Sequence, residues 1–316
     1  MKIVIPGGSG QMGQLLARGF VSAGHEVVIL SRSAAKVGRT VPWDGRIVAG
    51  WAKEIDGADV VLNLAGRTVN CRYTPENLRE MMDSRVESTR AVGEAIASAA
   101  RPPRLWLQMS TATIYAHRLD APNDEATGRI GGDEPGVPAY WAYSVEIARA
   151  WERALNEAAT PKTRRVALRS AMLMSPDRGG IFDVMLGMVR KGLGGSAAGG
   201  AQYVSWIHDH DFTRAIDLLI ARDDLEGAVN IAAPNPLPYA ELMRAIREAW
   251  GTRVGLPATK WMLEIGAWAM RTDTELVLKS RRVIPGRLLE AGFSFEQPAW
   301  PAAVKDLVAR VRAQNG

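Results

Sequence analysis

Short apolar runs and amphipathic stretches alternate along the first two-thirds of the sequence. Residues 2–6 are rich in β-branched side chains, residues 11–23 repeat apolar positions with a helical period, and residues 26–31 are again β-branched. This succession predicts one strand–helix–strand unit. The alternation continues with strands predicted at residues 58–64, 104–110, 164–169 and 203–207, and with helices at residues 75–99, 138–158, 181–190 and 211–221. The pattern predicts an α/β protein with a doubly wound parallel sheet.

The last third of the sequence changes to a helical pattern. After a short predicted strand at residues 229–232, apolar positions recur with helical spacing over residues 239–250, 259–270 and 301–312. We therefore expect a smaller, mainly helical C-terminal part that caps the sheet rather than extending it.

Three glycines follow the first predicted strand and open the first predicted helix. Gly7, Gly10 and Gly13 have the spacing that lets a backbone turn tightly and approach a pyrophosphate at a helix N-terminus. Gln11 and Met12 lie inside the same turn. An incidental turn is the alternative, but the strand before the glycines and the helix after them favour a dinucleotide-binding Rossmann site.

The chain length agrees with two domains. A chain of 316 residues can hold a cofactor domain and a second, smaller unit. We assign residues 1–175 to a Rossmann domain, to which residues 205–235 return, and residues 176–316 to a substrate-capping domain. The substrate cleft should then lie between the two.

The end of the second predicted strand indicates which dinucleotide is bound. An NAD site places an acidic residue there to hold the ribose 2′-hydroxyl, whereas this chain has Ser31 and Arg32. A guanidinium suits a 2′-phosphate, and a carboxylate would repel it. The sequence thus favours NADP(H) over NAD(H), with a solvated loop arginine as the alternative.

Small and hydroxyl-bearing residues end two further strands. Leu64, Ala65 and Gly66 let a cofactor lie against one strand end, and Ser110 and Thr111 place hydroxyls at the next. Because the carboxyl ends of parallel strands meet at one edge, these segments should adjoin the glycine turn. The hydroxyls can bind a substrate or merely cap the turn.

These segments together resemble the extended short-chain dehydrogenase/reductases. The chain is most similar to an epimerase-like family described as nucleoside-diphosphate-sugar epimerases with a C-terminal domain of unknown function. The matching stretches follow one another along nearly the whole chain. They include residues 62–66, 84–90, 151–152, 168–170, 192–195, 206–208, 233–236 and 285–290.

The resemblance implies an NADP(H) site with further members. It places Glu80 and Arg85 of the long helix against the cofactor and Leu173 near the nicotinamide. It also assigns the 2′-phosphate to Ser31 and Arg32 and the adenine side to Leu64 and Ala65. From periodicity alone, Glu80 and Arg85 are simply helix residues.

One catalytic element of these enzymes is missing. Their usual motif is Tyr-x-x-x-Lys, but Ile147 lies four residues after Tyr143, the best-placed tyrosine. With a pKa of about 10, a tyrosine is ionised only to roughly one part in a thousand at pH 7 and is a poor base without a neighbouring cation. Thr111 holds the position of the usual catalytic serine or threonine. The candidate catalytic residues are therefore Thr111 and Tyr143, with hydride chemistry open to question.

A run of histidines and aspartates follows the predicted strand at residues 203–207. His208 to Asp211 could bind a metal, since imidazole and carboxylate are both ligands. The simpler interpretation makes Asp211 the N-cap of the next helix. We assign Trp206 and His208 to the substrate cleft and predict no metal.

Composition limits the classes of partner. The net charge is +5, but the basic residues are scattered, which argues against a nucleic-acid interface. No apolar run is long enough for a membrane helix. The single cysteine, Cys71, excludes an internal disulfide and agrees with the cytoplasm. We expect a small-molecule substrate and either a monomer or a homodimer.

Two functional hypotheses remain. In the first, the protein is an NADP(H)-dependent oxidoreductase or epimerase-like enzyme that acts on a small carbonyl or sugar-nucleotide-type substrate. In the second, it binds NADP(H) without catalysis and regulates a partner. The missing lysine favours the second hypothesis more than is usual for this fold.

Overall fold

Seven parallel strands form the central sheet of the computed structural model, which describes residues 1–259 and 273–315. In chain order they are β1 (Lys2–Pro6), β2 (Glu26–Ser31), β3 (Arg39–Pro42), β4 (Val60–Asn63), β5 (Leu105–Thr111), β6 (Arg164–Ser170) and β10 (Gly227–Ile231). Their order across the sheet is β3-β2-β1-β4-β5-β6-β10, so the winding reverses between β1 and β4. Open α/β sheets bind ligands outside the carboxyl ends of the strands at such a point.

Four short strands lie outside this sheet in the described part of the chain. β7 (Met172–Met174) pairs with β9 (Trp206–His208), and β8 (Tyr203–Val204) pairs with β11 (Leu237–Pro238). The helices are α1 (Gln11–Ser22), α2 (Pro75–Ser98), α3 (Tyr140–Asn156), α4 (Ile181–Arg190), α5 (Asp209–Ala221), α6 (Tyr239–Trp250), α7 (Glu275–Leu278), α8 (Gly286–Glu290) and α9 (Trp300–Asn315).

Alternate residues of the central strands pack against different helices. Ile3 and Ile5 of β1 share a buried cluster with Phe20 of α1 and Phe212 of α5. Val4, between them, belongs to the cluster that includes α2 and the end of α3. Successive side chains of a strand point to opposite faces, so both faces of the sheet are covered by helices. The doubly wound parallel sheet predicted from the sequence is confirmed.

A second apolar core holds the C-terminal part together. Phe182 of α4, Leu242 of α6 and Leu307 of α9 pack with Trp206 and Trp300. The two indole rings meet edge to face with their centroids 4.9 Å apart, a favourable aromatic geometry. The mainly helical C-terminal part is thus confirmed as well.

The chain returns to the sheet after α5. β10 pairs with β6 in parallel, and α5 packs in the same cluster as β1 and α1. Residues 209–231 therefore lie against or within the central sheet. The assignment of residues 1–175 and 176–316 to two domains stays a prediction.

Some of the elements expected from the sequence differ in the structure or lie outside its described part. Arg39–Pro42 forms an edge strand whose four residues are too short to give an apolar pattern. The strand expected at residues 203–207 is divided at Ser205, because β8 before it pairs with β11 whereas β9 after it pairs with β7. The helix expected at residues 259–270 lies, except for its first residue, outside the described part of the chain.

A buried hydrogen-bond network joins β5, β6 and β10 near their carboxyl ends. The Tyr115 hydroxyl donates to Asn230 Oδ1 at 2.9 Å and accepts from Arg169 Nη1 at 2.9 Å. Arg169 also forms a bidentate ion pair with Glu152 at 2.9 and 2.8 Å, and Ser110 Oγ donates to that carboxylate at 2.6 Å. Because buried polar groups are costly to leave unpaired, this network fixes the strand ends relative to one another.

The network predicts the effect of removing one hydroxyl. Tyr115→Phe should lower the free energy of unfolding by about 1–3 kcal/mol, because Asn230 Oδ1 and one Arg169 N–H lose their buried partner. Urea denaturation measures this change.

Tyr203→Phe is the matched control. The Tyr203 ring packs under the Arg282 guanidinium, 4.4 Å from its centroid, and its hydroxyl makes no hydrogen bond within the described ranges. We expect a change below about 0.5 kcal/mol. Equal losses in the two variants would show that the network does not carry the effect.

Candidate functional site

A cavity of about 560 Å³ opens at the carboxyl ends of β1, β2 and β4. We call it the outer cavity. It is lined by residues 7, 9, 10, 30–33, 43–46, 64–67, 80 and 84. The topology of the sheet thus brings together segments that lie up to 77 positions apart in the chain.

The three glycines of the β1–α1 turn have three different reasons to lack a side chain. Gly7 has φ +75°, and a Cβ there would lie 2.6 Å from the Ala65 backbone. A Cβ on Gly13 would lie 2.4 Å from the Gly8 Cα, so this glycine allows the helix to pack on its own turn. A Cβ on Gly10, by contrast, would meet nothing nearer than 3.9 Å. Gly10 therefore keeps open the side from which a ligand approaches.

The N-terminus of α1 carries no side-chain cap. Gly10 is its N-cap residue, and the first turn holds no acidic residue. The first N–H groups of a helix lack intrahelical partners and carry the positive end of its dipole. A helix start of this kind, beside a cavity, suits an anionic group.

Arg32 is the unpaired cation of the outer cavity. It is exposed and forms no ion pair with any described residue, whereas Arg46 pairs with Glu87 and Arg67 pairs with Glu80. Glu80 therefore lines the outer cavity with its carboxylate paired to a guanidinium, and its contact with the cofactor stays a prediction. The Arg32 guanidinium is left to bind an anion.

Ser31 is held beside Arg32. Its hydroxyl donates to Ser9 Oγ at 2.7 Å and accepts from the Ser33 N–H at 3.2 Å. Asp44, which follows β3, also lines the outer cavity, and its Oδ1 accepts the N–H groups of Arg46 and Ile47 at 2.9 and 3.0 Å. These bonds lower the pKa of Asp44, and its charge is thus satisfied locally.

A second cavity, of about 240 Å³, lies at the ends of β5 and β6. We call it the inner cavity. Helix α2 lines both cavities, with Glu80 and Ser84 on the outer one and Met81 and Arg85 on the inner one. The inner cavity is lined by residues 12, 69, 73, 81, 85, 109–111, 113, 144, 147, 151, 170, 171, 275, 276 and 281.

Arg85 forms the wall where the two cavities approach each other. Its guanidinium donates to the carbonyls of Met81 at 2.9 Å and Arg67 at 3.0 Å, and it lies over the Trp151 ring. Burial lowers the pKa of Arg85 to about 10, so the group stays charged at neutral pH. It packs beside Gly66, where a Cβ would lie 3.3 Å from the Arg85 side chain.

The inner cavity contains Thr111 but not Tyr143. Thr111 lines it and accepts the Thr113 N–H at 3.1 Å, which is the turn-capping role that the sequence left open. Tyr143 packs against Leu78 and borders a separate surface pocket. Successive residues of a helix point about 100° apart, and the neighbour Ser144 faces the inner cavity instead. The structure therefore does not bring the two predicted catalytic residues together.

Tyr73 supplies the phenol of the inner cavity. It lies in the loop before α2, without any periodicity or motif that would single it out in the sequence. Burial raises its pKa, and Glu275 raises it further, while Arg281 and Ser144 act in the opposite direction. Tyr73 therefore stays protonated at neutral pH, so its hydroxyl can donate a hydrogen bond to a ligand oxygen.

Three buried ionisable residues lie at the C-terminal side of the inner cavity, and two of them, Glu275 and Arg281, line it. Glu275 accepts a hydrogen bond from Ser144 Oγ at 2.5 Å. Lys279 Nζ lies 3.6 Å from Glu275 Oε1 and donates to the Thr113 carbonyl at 3.1 Å. Arg281 Nε donates to Thr113 Oγ1 at 3.0 Å. Sequence reasoning missed all three residues because they lie more than 130 positions from Ser144.

Several predicted site residues lie away from both cavities. Leu173 is buried in the core beneath the sheet edge. Trp206 Nε1 donates to the Asn235 carbonyl at 3.2 Å inside the second core, and His208 Nε2 lies 3.0 Å from Asp306 Oδ2. The expected substrate-cleft position of Trp206 and His208 therefore does not match the structure.

The helix cap after β9 also differs from the one predicted from the sequence. His208, not Asp211, is the N-cap of α5 and accepts the His210 N–H. Asp211 instead accepts the N–H groups of Glu296 and Gln297, both at 2.8 Å. The run therefore anchors the C-terminal segment.

The turn residues between the glycines have separate roles. Gln11 Nε2 donates to the Asp177 carbonyl at 3.2 Å, while Met12 reaches the inner cavity. Across the described ranges, no three histidine, cysteine or acidic residues are grouped to hold a metal ion. No described helix has the length and apolar character needed to cross a membrane.

Comparison with known proteins identifies the family of the chain. The model of the NAD dependent epimerase/dehydratase family matches residues 3–232, and a domain of unknown function, DUF1731, matches residues 258–307. The human epimerase family protein SDR39U1 is 29% identical over 312 residues, covering 98% of this chain and all of the relative. The epimerase family protein SA0724 of Staphylococcus aureus is 27% identical and covers 96% of this chain and 98% of its own.

A solved structure shows the same fold. The crystal structure of human SDR39U1 (isoform 2) with NADPH has a TM-score of 0.84 and 27% identity, and the match covers 98% of this chain and 99% of that one. The family match spans well over half of the chain and includes the glycine turn. The chain therefore belongs to the NAD dependent epimerase/dehydratase family, with a DUF1731 domain at its C-terminal end.

Proposed function

We propose that this protein binds NADP(H) across the outer and inner cavities and uses it to reduce or oxidise a small molecule. The observation that carries the cofactor assignment is Arg32, an unpaired guanidinium at the end of β2 beside the uncapped start of α1. Human SDR39U1, whose crystal structure holds NADPH, supports the same cofactor.

The described residues fit a dinucleotide with a 2′-phosphate. The open face of Gly10 and the N–H groups of α1 would accept the pyrophosphate. Ser31 and Arg32 would hold the 2′-phosphate, and Leu64 and Ala65 would line the adenosine side. The nicotinamide part would extend past Arg85 toward Thr111.

Bound NADP(H) would supply or accept a hydride, and the chain must manage the accompanying proton. The hydroxyls of Thr111, Ser144 and Tyr73 line the inner cavity and would orient a substrate oxygen. We assign proton donation to Tyr73, because its phenol lines the inner cavity and is more acidic than the aliphatic hydroxyls of Thr111 and Ser144. Its role replaces the Tyr-x-x-x-Lys pair that the sequence lacks.

A non-catalytic, regulatory NADP(H)-binding protein is the second candidate. It is favoured by one observation, which is that no lysine is among the described residues lining the inner cavity. Separate measurements of cofactor binding and of turnover distinguish the two candidates.

The 2′-phosphate assignment predicts a selective loss of affinity. Arg32→Ala should weaken NADPH binding about 10- to 100-fold, the range expected for a lost charge-assisted contact of about 1.5–3 kcal/mol. NADH binding should change less than about twofold, because NADH lacks the 2′-phosphate. Isothermal titration of both nucleotides into both proteins measures this.

The matched control is Arg101→Ala. Arg101 is 80% exposed and precedes β5 at the opposite edge of the sheet, so its removal should leave NADPH affinity unchanged. Wild-type protein that binds NADPH and NADH equally, with no effect of Arg32→Ala, would contradict the assignment.

The glycine turn predicts that one alanine substitution weakens NADPH binding and that another destabilises the fold. Gly10→Ala should change the free energy of unfolding by less than about 1 kcal/mol, since its Cβ has room, yet weaken NADPH binding at least tenfold. Gly13→Ala should destabilise the fold by about 1–3 kcal/mol, because its Cβ would overlap the Gly8 backbone. Urea denaturation and titration of NADPH test both; normal binding by Gly10→Ala would contradict the pyrophosphate position.

Turnover tests the role of Tyr73. NADPH oxidation is followed by its absorbance with a panel of small aldehydes, ketones and 2-oxo acids. For any substrate that is reduced, Tyr73→Phe should lower kcat about 10²- to 10⁴-fold, the usual contribution of an acid–base group, without changing the Kd of NADPH. Tyr143→Phe is the control and should stay within twofold, because Tyr143 lies outside the inner cavity. NADPH binding with no turnover on the whole panel would favour the regulatory candidate.

A further inference from the structure

Arg281 is a buried cation with one donor group left over. Its side chain is only 5% exposed and lines the inner cavity. Nε donates to Thr113 Oγ1 at 3.0 Å, and Nη1 lies 3.2 Å from the Leu276 carbonyl and 3.3 Å from the Lys279 carbonyl. Nη2 has no hydrogen-bond partner among the described residues. A guanidinium remains charged in proteins, so Nη2 is part of a buried cation and lacks a hydrogen-bond acceptor.

The nearest carboxylate does not satisfy Arg281. Glu275 accepts the Ser144 hydroxyl on Oε2, while its Oε1 lies 3.6 Å from Lys279 Nζ and accepts no hydrogen bond from a described residue. The contact between Arg281 and Glu275 is made by Nη1 to the Glu275 backbone carbonyl at 3.4 Å, not to the carboxylate. Buried charges are normally both paired and hydrogen-bonded, so the arrangement is incomplete without a further anion.

The charge balance of the inner cavity points the same way. Its ionisable lining residues, within the described ranges, are two guanidiniums, Arg85 and Arg281, the carboxyl of Glu275 and the phenol of Tyr73. Arg85 already donates to two backbone carbonyls. The cavity wall therefore carries a net positive charge, and Arg281 holds its unused donor.

The size of the cavity limits the ligand. About 240 Å³ is below the roughly 300–1,000 Å³ that is typical of sites for drug-sized ligands, and the nicotinamide would take part of this space, so the substrate must be small. A singly charged carboxylate would balance Arg281, whereas a dianionic phosphate would place a second negative charge beside Glu275. The hydroxyls of Thr111 and Ser144 offer partners for a neighbouring carbonyl or hydroxyl oxygen.

We propose that the substrate is a small 2-hydroxy or 2-oxo acid whose carboxylate is bound by Arg281. This inference rests on the proposed function, since it names the substrate class of the same site. Arg281 is the specificity-determining residue, and it comes from the DUF1731 segment rather than from the Rossmann part. Bound NADP(H) would supply the hydride that C2 of a 2-oxo acid takes up on reduction, and Tyr73 would donate the proton to the C2 oxygen.

Matched pairs of acids and amides test the inference in the unaltered protein. Lactate and glycerate, with lactamide and glyceramide as neutral counterparts, are titrated calorimetrically into the protein saturated with NADP⁺. We expect the acids to bind at least tenfold more tightly than the amides. Equal binding of acid and amide, or no binding of either acid, would overturn the inference.

The variant Arg281→Met identifies the residue responsible. It should weaken binding of the acids at least tenfold while leaving the Kd of NADPH within threefold, and Arg101→Met, at the exposed control position, should change neither. Acid binding that survives in folded Arg281→Met would overturn the assignment. If this variant does not fold, Arg281→Lys keeps the charge without the planar fork, and the acid–amide comparison in the wild type still decides the substrate class.

The outcomes for the substrate class and for the proposed function are distinguishable. NADP⁺ binding without a preference for acids overturns only the substrate class. Wild-type protein that binds no NADP⁺ overturns the proposed function. The same acids and amides are then titrated into the protein alone. Tighter binding of the acids that is lost in Arg281→Met would still support Arg281 as a carboxylate site.

Discussion

The close approach of two backbone segments is the constraint on which the rest of the structure depends. After β1 the chain turns so tightly that Gly7 lies against Ala65 at the end of β4, with no space for a Cβ between them. This contact sits where the winding of the sheet reverses, so the start of α1 and the ends of β2 and β4 surround one cavity. The free helix N-terminus and Arg32 make that cavity suited to a phosphorylated dinucleotide. Each feature needs the turn, because a wider one would move α1 away from the sheet edge.

The inner cavity depends on a different balance, between buried charge and hydrogen bonding. Glu275, Lys279 and Arg281 come from the C-terminal segment and reach the loop after β5 through Thr113. Burial raises the pKa of Glu275 and lowers the pKa of Lys279, so it disfavours the charged form of both side chains. The opposite charge of the other residue favours the charged form of each. Such a set favours a defined position for the C-terminal segment, because losing one partner leaves another charge unpaired in the interior. The cofactor part and the C-terminal part are therefore joined through the site itself.

The sequence predicted the fold and the cofactor end of the site better than the catalytic end. The glycines, Ser31 and Arg32 follow one strand–helix–strand unit, so local spacing was enough to recognise them. Tyr143 and Ser144 differ by one helical position, and periodicity does not show which of them faces the cavity when both helix faces are packed. Tyr73 and Arg281 lie in irregular segments, and no local pattern shows which distant residues they meet. The hydrogen bond between Ser144 and Glu275 at the same cavity spans 131 positions. Trp206 and His208 were assigned to the cleft at the end of a predicted strand, but Trp206 lies in the second core and His208 contacts Asp306.

A crystal structure of the protein with NADPH tests most directly whether one NADP(H) molecule spans both cavities, as we propose. We predict the pyrophosphate at the open face of Gly10, the 2′-phosphate in contact with Ser31 and Arg32, and the nicotinamide in the inner cavity beside Thr111. A nicotinamide outside the inner cavity, or a 2′-phosphate that does not contact Arg32, would contradict this arrangement.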